Sequence, residues 1–190
     1  MYLANFFGCI MYADDLLLLS ASVTGLQQML HICHSFAQFS DIVSNHKKSV
    51  CFKVGPLWCR SASAMLLGNK DLQWVTSFKY LGINFLSGLA VKIGTCHTKR
   101  TFYKACNGIL SHCSTADVFV KLSLVKAYCL PVLTYCIDAL NLPVVKIKDL
   151  GVCWNDCFRK LFGYKRFESV KEMQYFCGEL SFDLIYELQR

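Results

Sequence analysis

The sequence predicts an α+β fold in which short strands precede a wholly helical region. Apolar runs of strand length, separated by polar or Gly-containing turns, dominate residues 1–87, whereas apolar positions at helical spacing dominate residues 88–190. The 190 residues are 54% hydrophobic and 14% aromatic, which is enough for a buried core, and a charged fraction of 17% is too low for a disordered chain. We therefore expect two domains, 1–87 and 88–190.

The first predicted strands surround two adjacent aspartates. Residues 8–12 and 16–19 are short apolar runs on either side of Ala13-Asp14-Asp15. Two such runs around a tight polar turn predict a β-hairpin, and their continuous apolar character predicts that both of its faces are buried.

A helix is predicted next, over residues 25–39. Thr24 and Gln27 have the spacing of a capping box with Thr24 as the N-cap, and apolar residues then recur every three or four positions. The remaining elements of the first domain are a polar loop and two strands, at 45–49, 50–54 and 78–85.

Long helices are predicted beyond residue 88. A second capping box, Ser114-Thr115-Ala116-Asp117, opens a helix that extends to about residue 139, with a kink where Pro131 removes one backbone donor. The other helical stretches are at 92–111, 146–162 and 168–189.

The twelve cysteines indicate a reducing compartment. There is no Cys-x-x-Cys pair, and the first residues lack the basic segment of a secretory signal. We therefore expect an intracellular protein of the nucleus or cytoplasm that is not secreted. The cluster of His31, Cys33 and His34 and the pair Cys96-His97 leave zinc binding open, but ordinary reduced side chains are the favoured interpretation.

No segment predicts a membrane-spanning helix. The longest stretch without Lys, Arg, Asp or Glu, residues 16–40, contains three Gln and two His, which are costly to insert into a bilayer. The mean hydropathy of +0.36 leaves a membrane-associated protein as an alternative. We favour an apolar face that is left exposed and causes aggregation.

Charge is distributed unevenly along the chain. Residues 1–45 carry a net charge of −3, residues 46–170 carry +12 and residues 171–190 carry −2. An acidic segment before a long basic region predicts a carboxylate site beside a surface for a polyanion. A solvated basic face without a partner is the alternative.

The adjacent Asp14 and Asp15 are candidate metal ligands. Two neighbouring carboxylates repel each other unless a cation lies between them, and phosphoryl-transfer sites use such pairs to hold Mg²⁺ against the reacting oxygens. An ordinary exposed Asp-Asp turn is the alternative.

The residues around these aspartates resemble a known catalytic motif. Tyr12-Ala13-Asp14-Asp15, followed by four leucines and a serine, resembles the YxDD motif of reverse transcriptases, and its YADD form is similar to that of non-LTR (LINE-type) retrotransposons. Further resemblances follow in the family's order and cover nearly the whole chain: the helix at 25–30, the loop Asn45-x-x-Lys48-Ser49, the primer-grip hairpin at 78–83, and helical segments at 130–135 and 154–162. The resemblance implies a partial polymerase palm over 1–87 and a thumb-like helical region over 88–190.

The resemblance assigns nucleotidyl transfer to the hairpin. Asp14 would bind the catalytic Mg²⁺ ions, Asp15 would support or share that ligation, and Tyr12 would lie near the primer terminus and the incoming nucleotide. Lys48, or its neighbour Lys47, would face the triphosphate, where a cation offsets developing charge. A solvated loop is the alternative for these two lysines.

The resemblance also implies an RNA template and a DNA primer as partners. The primer strand would be held by residues that equally suit a strand in a core: Phe78, Tyr80, Leu81 and Gly82. The phosphates of the template–primer duplex would contact basic side chains that begin the helical region: Lys92, Lys99, Arg100 and Lys104.

The chain departs from the family's pattern before the YADD motif. The family's earlier palm motif supplies another metal-binding Asp, but none of the 13 residues before Asp14 is acidic, and the fingers are not represented. We therefore expect a C-terminal fragment of the polymerase domain that needs the N-terminal half as a partner and does not polymerise DNA alone. A non-catalytic, nucleic-acid-binding remnant of a transposable element is the alternative function.

Overall fold

The chain is a mixed α+β protein, as the sequence predicts. The computed structural model describes residues 8–189 and divides into two compact units, Met1–Lys92 and Ile93–Arg190. The first unit contains small sheets and the helix Val23–Phe39, and the later helices lie in the second unit. The division falls after Lys92, within the strand Lys92–Gly94 that comes before the first helix of the second unit.

The described strands form three small sheets. Their bounds are β1 (Cys9–Tyr12), β2 (Asp15–Leu18), β3 (Val50–Phe52), β4 (Met65–Leu67), β5 (Lys70–Val75), β6 (Ser77–Tyr80), β7 (Ile83–Leu86) and β8 (Lys92–Gly94). β1 and β2 make an antiparallel hairpin, and β5 lies between a parallel β3 and an antiparallel β4. The third sheet has the order β6-β7-β8, in which β6 and β7 form a second antiparallel hairpin.

The helix α1 (Val23–Phe39) packs on β4 through a small core. Leu30, Cys51, Met65 and Leu72 are buried there, and Leu18 of β2 packs against them. The Gln27 side chain joins the edge of β4: its amide nitrogen donates to the Leu66 carbonyl at 2.8 Å, and its amide oxygen accepts from the Leu66 N–H at 2.9 Å.

This use of Gln27 corrects the predicted capping box. Ser22, in extended conformation, is the N-cap, and its Oγ accepts a 3.0 Å hydrogen bond from the Gly25 N–H. Helix α1 therefore begins at Val23, and Gln27 is free to satisfy a sheet edge instead of the helix terminus.

The second unit contains six helices over one apolar core within the described range. Their bounds are α2 (Cys96–His112), α3 (Val118–Tyr128), α4 (Leu130–Thr134), α5 (Val144–Phe162), α6 (Lys171–Phe176) and α7 (Phe182–Leu188). Trp154 and Phe158 of α5 lie in the centre with Phe102 of α2, all three fully buried. The Trp154 indole donates to the Leu180 carbonyl at 3.1 Å, which satisfies the polar atom of this buried side chain.

The predicted helix that ends near residue 139 is wrong at both ends. Asp117 is the N-cap and accepts from the Phe119 N–H at 2.8 Å, so α3 begins at Val118. Helix α3 then ends at Tyr128, Cys129 separates it from α4, and Pro131 lies in the first turn of α4. Proline fits there because its missing N–H would have no partner in a first turn.

Three other predicted elements are divided or displaced. The stretch 168–189 forms α6 and α7, separated by Gly178 at φ 68°. The stretch 78–85 is the β6–β7 hairpin rather than one strand, and the stretch 92–111 begins with β8 before α2. Each break occurs where a glycine or a strand pairing stops the regular pattern.

The prediction that the first hairpin is buried on both faces is wrong. All four residues of β1 are exposed, and only the last two of β2 are half-buried. Within the described range, Leu18 is the hairpin residue that packs against the core of α1 and β4. Among residues 8–189, no helix combines the length and the apolar character that crossing a membrane requires.

Candidate functional site

The YADD residues form the tip of the β1–β2 hairpin. Tyr12 and Asp15 are paired across the strands, and Ala13 and Asp14 make the turn between them. Directly opposed residues of an antiparallel pair project from the same face. Tyr12 and Asp15 therefore lie on the same face of the hairpin as the Ile10–Leu17 pair, and Asp14 lies in the turn.

The turn has a left-handed residue that is not glycine. Ala13 has φ 51°, a conformation that costs an L-residue about 1–2 kcal/mol and that glycine adopts freely. Backbone strain of this kind is concentrated at functional sites, where it orients a neighbouring side chain. Here the neighbour is Asp14.

Tyr12, Asp14 and Asp15 are open to solvent. Tyr12 is 63% exposed and both aspartates are exposed. No hydrogen bond or ion pair to another described residue engages either carboxylate. The two side chains are therefore available to an external cation or to a nucleic-acid group.

The donor set fits Mg²⁺ in chemistry but not in number. Carboxylate oxygens are the ligands that hard divalent cations prefer. Over residues 8–189, however, no third His, Cys, Asp or Glu joins Asp14 and Asp15 in a cluster. Two carboxylates supply only part of the six-ligand shell of one ion, and a two-ion site needs more, so no catalytic step is assigned to these residues alone.

The Asn45–Ser49 loop is a compact turn that presents two lysines. Asn45 accepts from the Lys48 N–H through its carbonyl at 3.1 Å and through Oδ1 at 3.3 Å, and its carbonyl also accepts from the Ser49 N–H and Oγ, both at 3.0 Å. These bonds explain the Asn and Ser of the N-x-x-K-S pattern as turn formers. Lys47 and Lys48 are exposed, and no ion pair joins them to Asp14 or Asp15.

The second hairpin holds its aromatic residues inside. Phe78 is opposite Phe85 with ring centroids 5.3 Å apart, and it meets the Phe52 ring edge-on at 4.7 Å. Tyr80 is half-buried on the same face as Phe78, and its hydroxyl is buried. Phe78 and Tyr80 thus contribute to packing, which is the alternative that the sequence left open for them.

Leu81 and Gly82 form the turn of this second hairpin. Both have positive φ, 46° and 82°, which is the pattern of a type I′ turn. Such turns match the twist of the flanking strands but rarely accept a residue like leucine. Both hairpins named from the sequence therefore have a strained, non-glycine residue at the tip.

The predicted phosphate-binding cations differ in their surroundings. Lys99 forms an ion pair with Asp149 at 3.3 Å, so part of its charge is used inside the second unit. Arg100 and Lys104 lie four residues apart on the exposed face of α2 and have no acidic partner among the described residues. Lys92 is exposed and belongs to the first unit.

The structure adds Lys160 to this basic face. Its Nζ donates to Oδ1 of Asn107 on α2 at 2.8 Å and lies 5.4 Å from the centre of the Tyr103 ring. The Tyr103 hydroxyl donates to Asp156 at 2.7 Å, and burial with this hydrogen bonding raises the pKa of Tyr103. Lys160 was missed because its nearness to α2 depends on helix packing, and spacing along the sequence carries no signal of it.

Comparisons with protein-family models, with curated proteins and with solved structures gave no match for this chain. The residues and their geometry therefore carry the functional argument.

Proposed function

We propose that this chain is the C-terminal part of an RNA-directed DNA polymerase of the LINE type. In the parent protein it contributes the YADD carboxylates to two-metal nucleotidyl transfer, with Mg²⁺ held jointly with groups outside this chain. The observation that carries the proposal is the exposed hairpin tip, where Asp14 and Asp15 stand beside Tyr12 with no described partner of their own.

Two basic features elsewhere in the chain support the same proposal. The Lys47–Lys48 turn offers cations to a triphosphate, and the helical unit offers an exposed basic face to the phosphates of a duplex. Contacts to phosphates carry no base information, which suits an enzyme that must accept every sequence. Alone, the chain binds a primer–template hybrid without extending the primer.

Photo-crosslinking from the primer terminus tests the proposal. A DNA primer with 5-iodouracil at its 3′ end is annealed to RNA, bound to the chain and irradiated, and the crosslinked peptide is sequenced. We expect the main crosslink at Tyr12, because that ring stands at the primer terminus in the proposed complex.

Tyr128 is the matched control for this experiment. It is 67% exposed, against 63% for Tyr12, so random collisions label the two rings equally. A crosslink at Tyr12 that is lost in Tyr12→Leu and unchanged in Tyr128→Leu supports the proposal. Equal labelling of both tyrosines, or labelling of Tyr128 alone, contradicts it.

A nucleic-acid-binding remnant is the second candidate function. Two observations favour it: Asp14 and Asp15 have no third metal ligand among the described residues, whereas Arg100 and Lys104 are exposed and able to contact phosphates. A remnant binds the hybrid through its cations but does not direct the primer terminus to Tyr12. The crosslinking pattern separates the two functions even when the affinities are alike.

A further inference from the structure

A second surface of the helical unit joins aromatic rings to cations. It is formed by residues 164–176, which follow α5 and include α6, and we call it the aromatic-basic segment. Three of its aromatic side chains are among the most exposed of the chain: Phe167 at 93%, Tyr175 at 88% and Phe176 at 73%. Rings this open to water contribute little to the fold of the described residues.

The segment is held in place by residues other than these rings. Val170 and Gln174 are buried, and the Gln174 amide donates to Oδ1 of Asn155 on α5 at 3.0 Å. Met173 packs against the core of the unit. Anchoring by one side of α6 leaves Tyr175 and Phe176 on the other side.

The turn before α6 is closed by its own hydrogen bonds. Glu168 accepts from the Lys165 N–H at 2.6 Å through its carboxylate, and its carbonyl accepts from the Arg159 side chain at 3.1 Å. The charge of Glu168 is therefore used within the turn. Lys165 and Arg166 stay exposed, with Arg166 5.7 Å from the centre of the Phe167 ring.

A recess of about 670 Å³ lies in this segment. It is lined by Tyr164, Glu172, Met173, Tyr175 and Phe176. It is a shallow depression that is open to solvent, and three of its five lining residues are aromatic. Glu172 adds a single carboxylate, which accepts hydrogen bonds but cannot donate them.

We propose that this recess binds an unpaired base of single-stranded RNA. The base stacks on the rings of Tyr175 and Phe176, and the flanking phosphates meet Lys165 and Arg166. Stacking on exposed rings beside cations is how proteins bind single strands. This inference rests on the proposed function, because the bound RNA is the unpaired part of the template, outside the duplex that α2 contacts.

The carboxylate of Glu172 gives the recess a base preference. Adenine presents an amino group that can donate a hydrogen bond to the carboxylate, and adenine also stacks strongly. Uracil presents one N–H between two carbonyl oxygens, and a carboxylate repels those oxygens. The recess therefore prefers adenine to uracil.

The test uses ten-nucleotide RNA oligomers that do not form duplexes. Binding of oligo(A) and oligo(U) is measured by anisotropy, and stacking is followed by the fluorescence of 2-aminopurine placed at the centre of an oligo(A). We expect Tyr175→Ala to weaken oligo(A) binding about fivefold or more and to abolish the 2-aminopurine quenching. Tyr175→Phe keeps the ring and restores both signals.

Two further variants test whether oligo(A) binding depends on stacking in the recess, on the exposure of a tyrosine or on the charge of Glu172. Tyr128→Ala removes another exposed tyrosine of the same unit and leaves oligo(A) binding unchanged. Glu172→Gln reduces the preference for oligo(A) over oligo(U), since an amide also donates to uracil carbonyls. Circular dichroism of each variant establishes that the unit remains folded.

The outcomes distinguish this inference from the proposed function. Unchanged oligo(A) binding in Tyr175→Ala overturns the recess as a base site, even when the hybrid still binds through Arg100 and Lys104. Oligo(A) binding that depends on Tyr175, in a chain that ignores the hybrid, supports the recess and contradicts the polymerase proposal.

Discussion

Single residues decide the geometry of the candidate catalytic hairpin. The pairing of Tyr12 with Asp15 leaves a two-residue turn, and that turn requires a left-handed residue at Ala13. A hairpin around Ala13-Asp14-Asp15 was predictable, because apolar runs flank a polar turn. The strain was not predictable, since alanine gives no signal for positive φ.

The strain at Ala13 leads to a first prediction. In Ala13→Gly the left-handed turn loses its steric penalty, offset in part by the larger entropy of the unfolded glycine, for a net gain of about 0.5–1 kcal/mol. Hydrogen exchange of the β1–β2 amides should therefore slow about two- to fivefold.

Ala21→Gly is the control for this prediction. Ala21 lies in a bend before α1 without positive φ, so glycine there brings no gain. Faster exchange of the hairpin amides in Ala13→Gly would mean that Ala13 is not strained in solution.

At the scale of elements, packing overrides several local signals. Gln27 has the spacing of a capping residue, yet it bonds the backbone of β4 because that sheet edge has unpaired groups. The pattern at 168–189 suits one helix, yet Gly178 ends α6 and the chain turns so that Leu180 meets the Trp154 indole. Periodicity predicted the existence of most helices, but the residues at which they begin and end depend on contacts with residues distant in sequence.

Helix α1 leads to a second prediction because it carries an apolar stripe without a described partner. Ile32, Phe36 and Phe39 recur at helical spacing and are 69%, 63% and 89% exposed. Such a patch favours association, so we expect concentration-dependent oligomers in sedimentation experiments. Phe36→Glu with Phe39→Glu should give monomers, with unfolding free energy changed by about 0.5 kcal/mol or less.

The control adds the same charge elsewhere on α1. Gln28→Glu with Gln38→Glu alters two exposed polar positions and should leave the association intact. If both double variants dissociate the oligomers equally, net charge and not the apolar stripe controls association.

At the scale of the molecule, buried thiols make stability depend on pH. Burial raises the pKa of the Cys129 thiol to about 11, from an ordinary value of 9.0, and it raises the pKa of Cys153. The Cys157 and Cys106 sulfurs lie 3.2 Å apart, and the hydrogen bond between them, together with burial, raises the pKa of Cys157. The pKa of Cys106 is lowered by the same hydrogen bond.

These directions lead to a third prediction, that stability falls above pH 9. There the unfolded thiols lose protons that the folded protein keeps, so the free energy of unfolding decreases as the pH rises. For the fully buried Cys129 the decrease is about 1.4 kcal/mol per pH unit between pH 9 and 11. The pKa of Cys106 is lowered, so its stabilising contribution develops below pH 9 and is constant above it. The fall above pH 9 therefore reflects the six thiols whose pKa is raised.

Urea unfolding between pH 8 and 11 measures this dependence. Cys129 is fully buried, so Cys129→Ala should have a shallower fall by about 1.4 kcal/mol per pH unit between pH 9 and 11. Cys59→Ala, at an exposed position, should follow the unmodified chain. A fall of equal slope in all three proteins would assign the pH dependence to other groups.

The α+β class and the change from a strand-rich region to a helical one were predictable from periodicity alone. The candidate site was predictable only as a set of positions. Asp14, Asp15 and Tyr12 are adjacent in sequence, so their common location follows directly. The pairing of Lys99 with Asp149 and the approach of Lys160 to Asn107 depend on how α2 packs on α5, which a single sequence does not encode visibly.

The affinity of the chain for an RNA–DNA hybrid, measured as a function of salt, tests directly whether α2 binds the phosphates of the duplex. We compare the unmodified chain with Arg100→Ala/Lys104→Ala, and with Lys70→Ala/Lys148→Ala as a control of equal charge change at exposed positions. We expect tight binding at low salt. In the α2 variant alone, the slope of log K against log salt should be smaller by about 1.8, the value for two lost phosphate contacts on B-DNA. Absence of hybrid binding at 50 mM salt, or equal slopes in both double variants, would contradict this expectation.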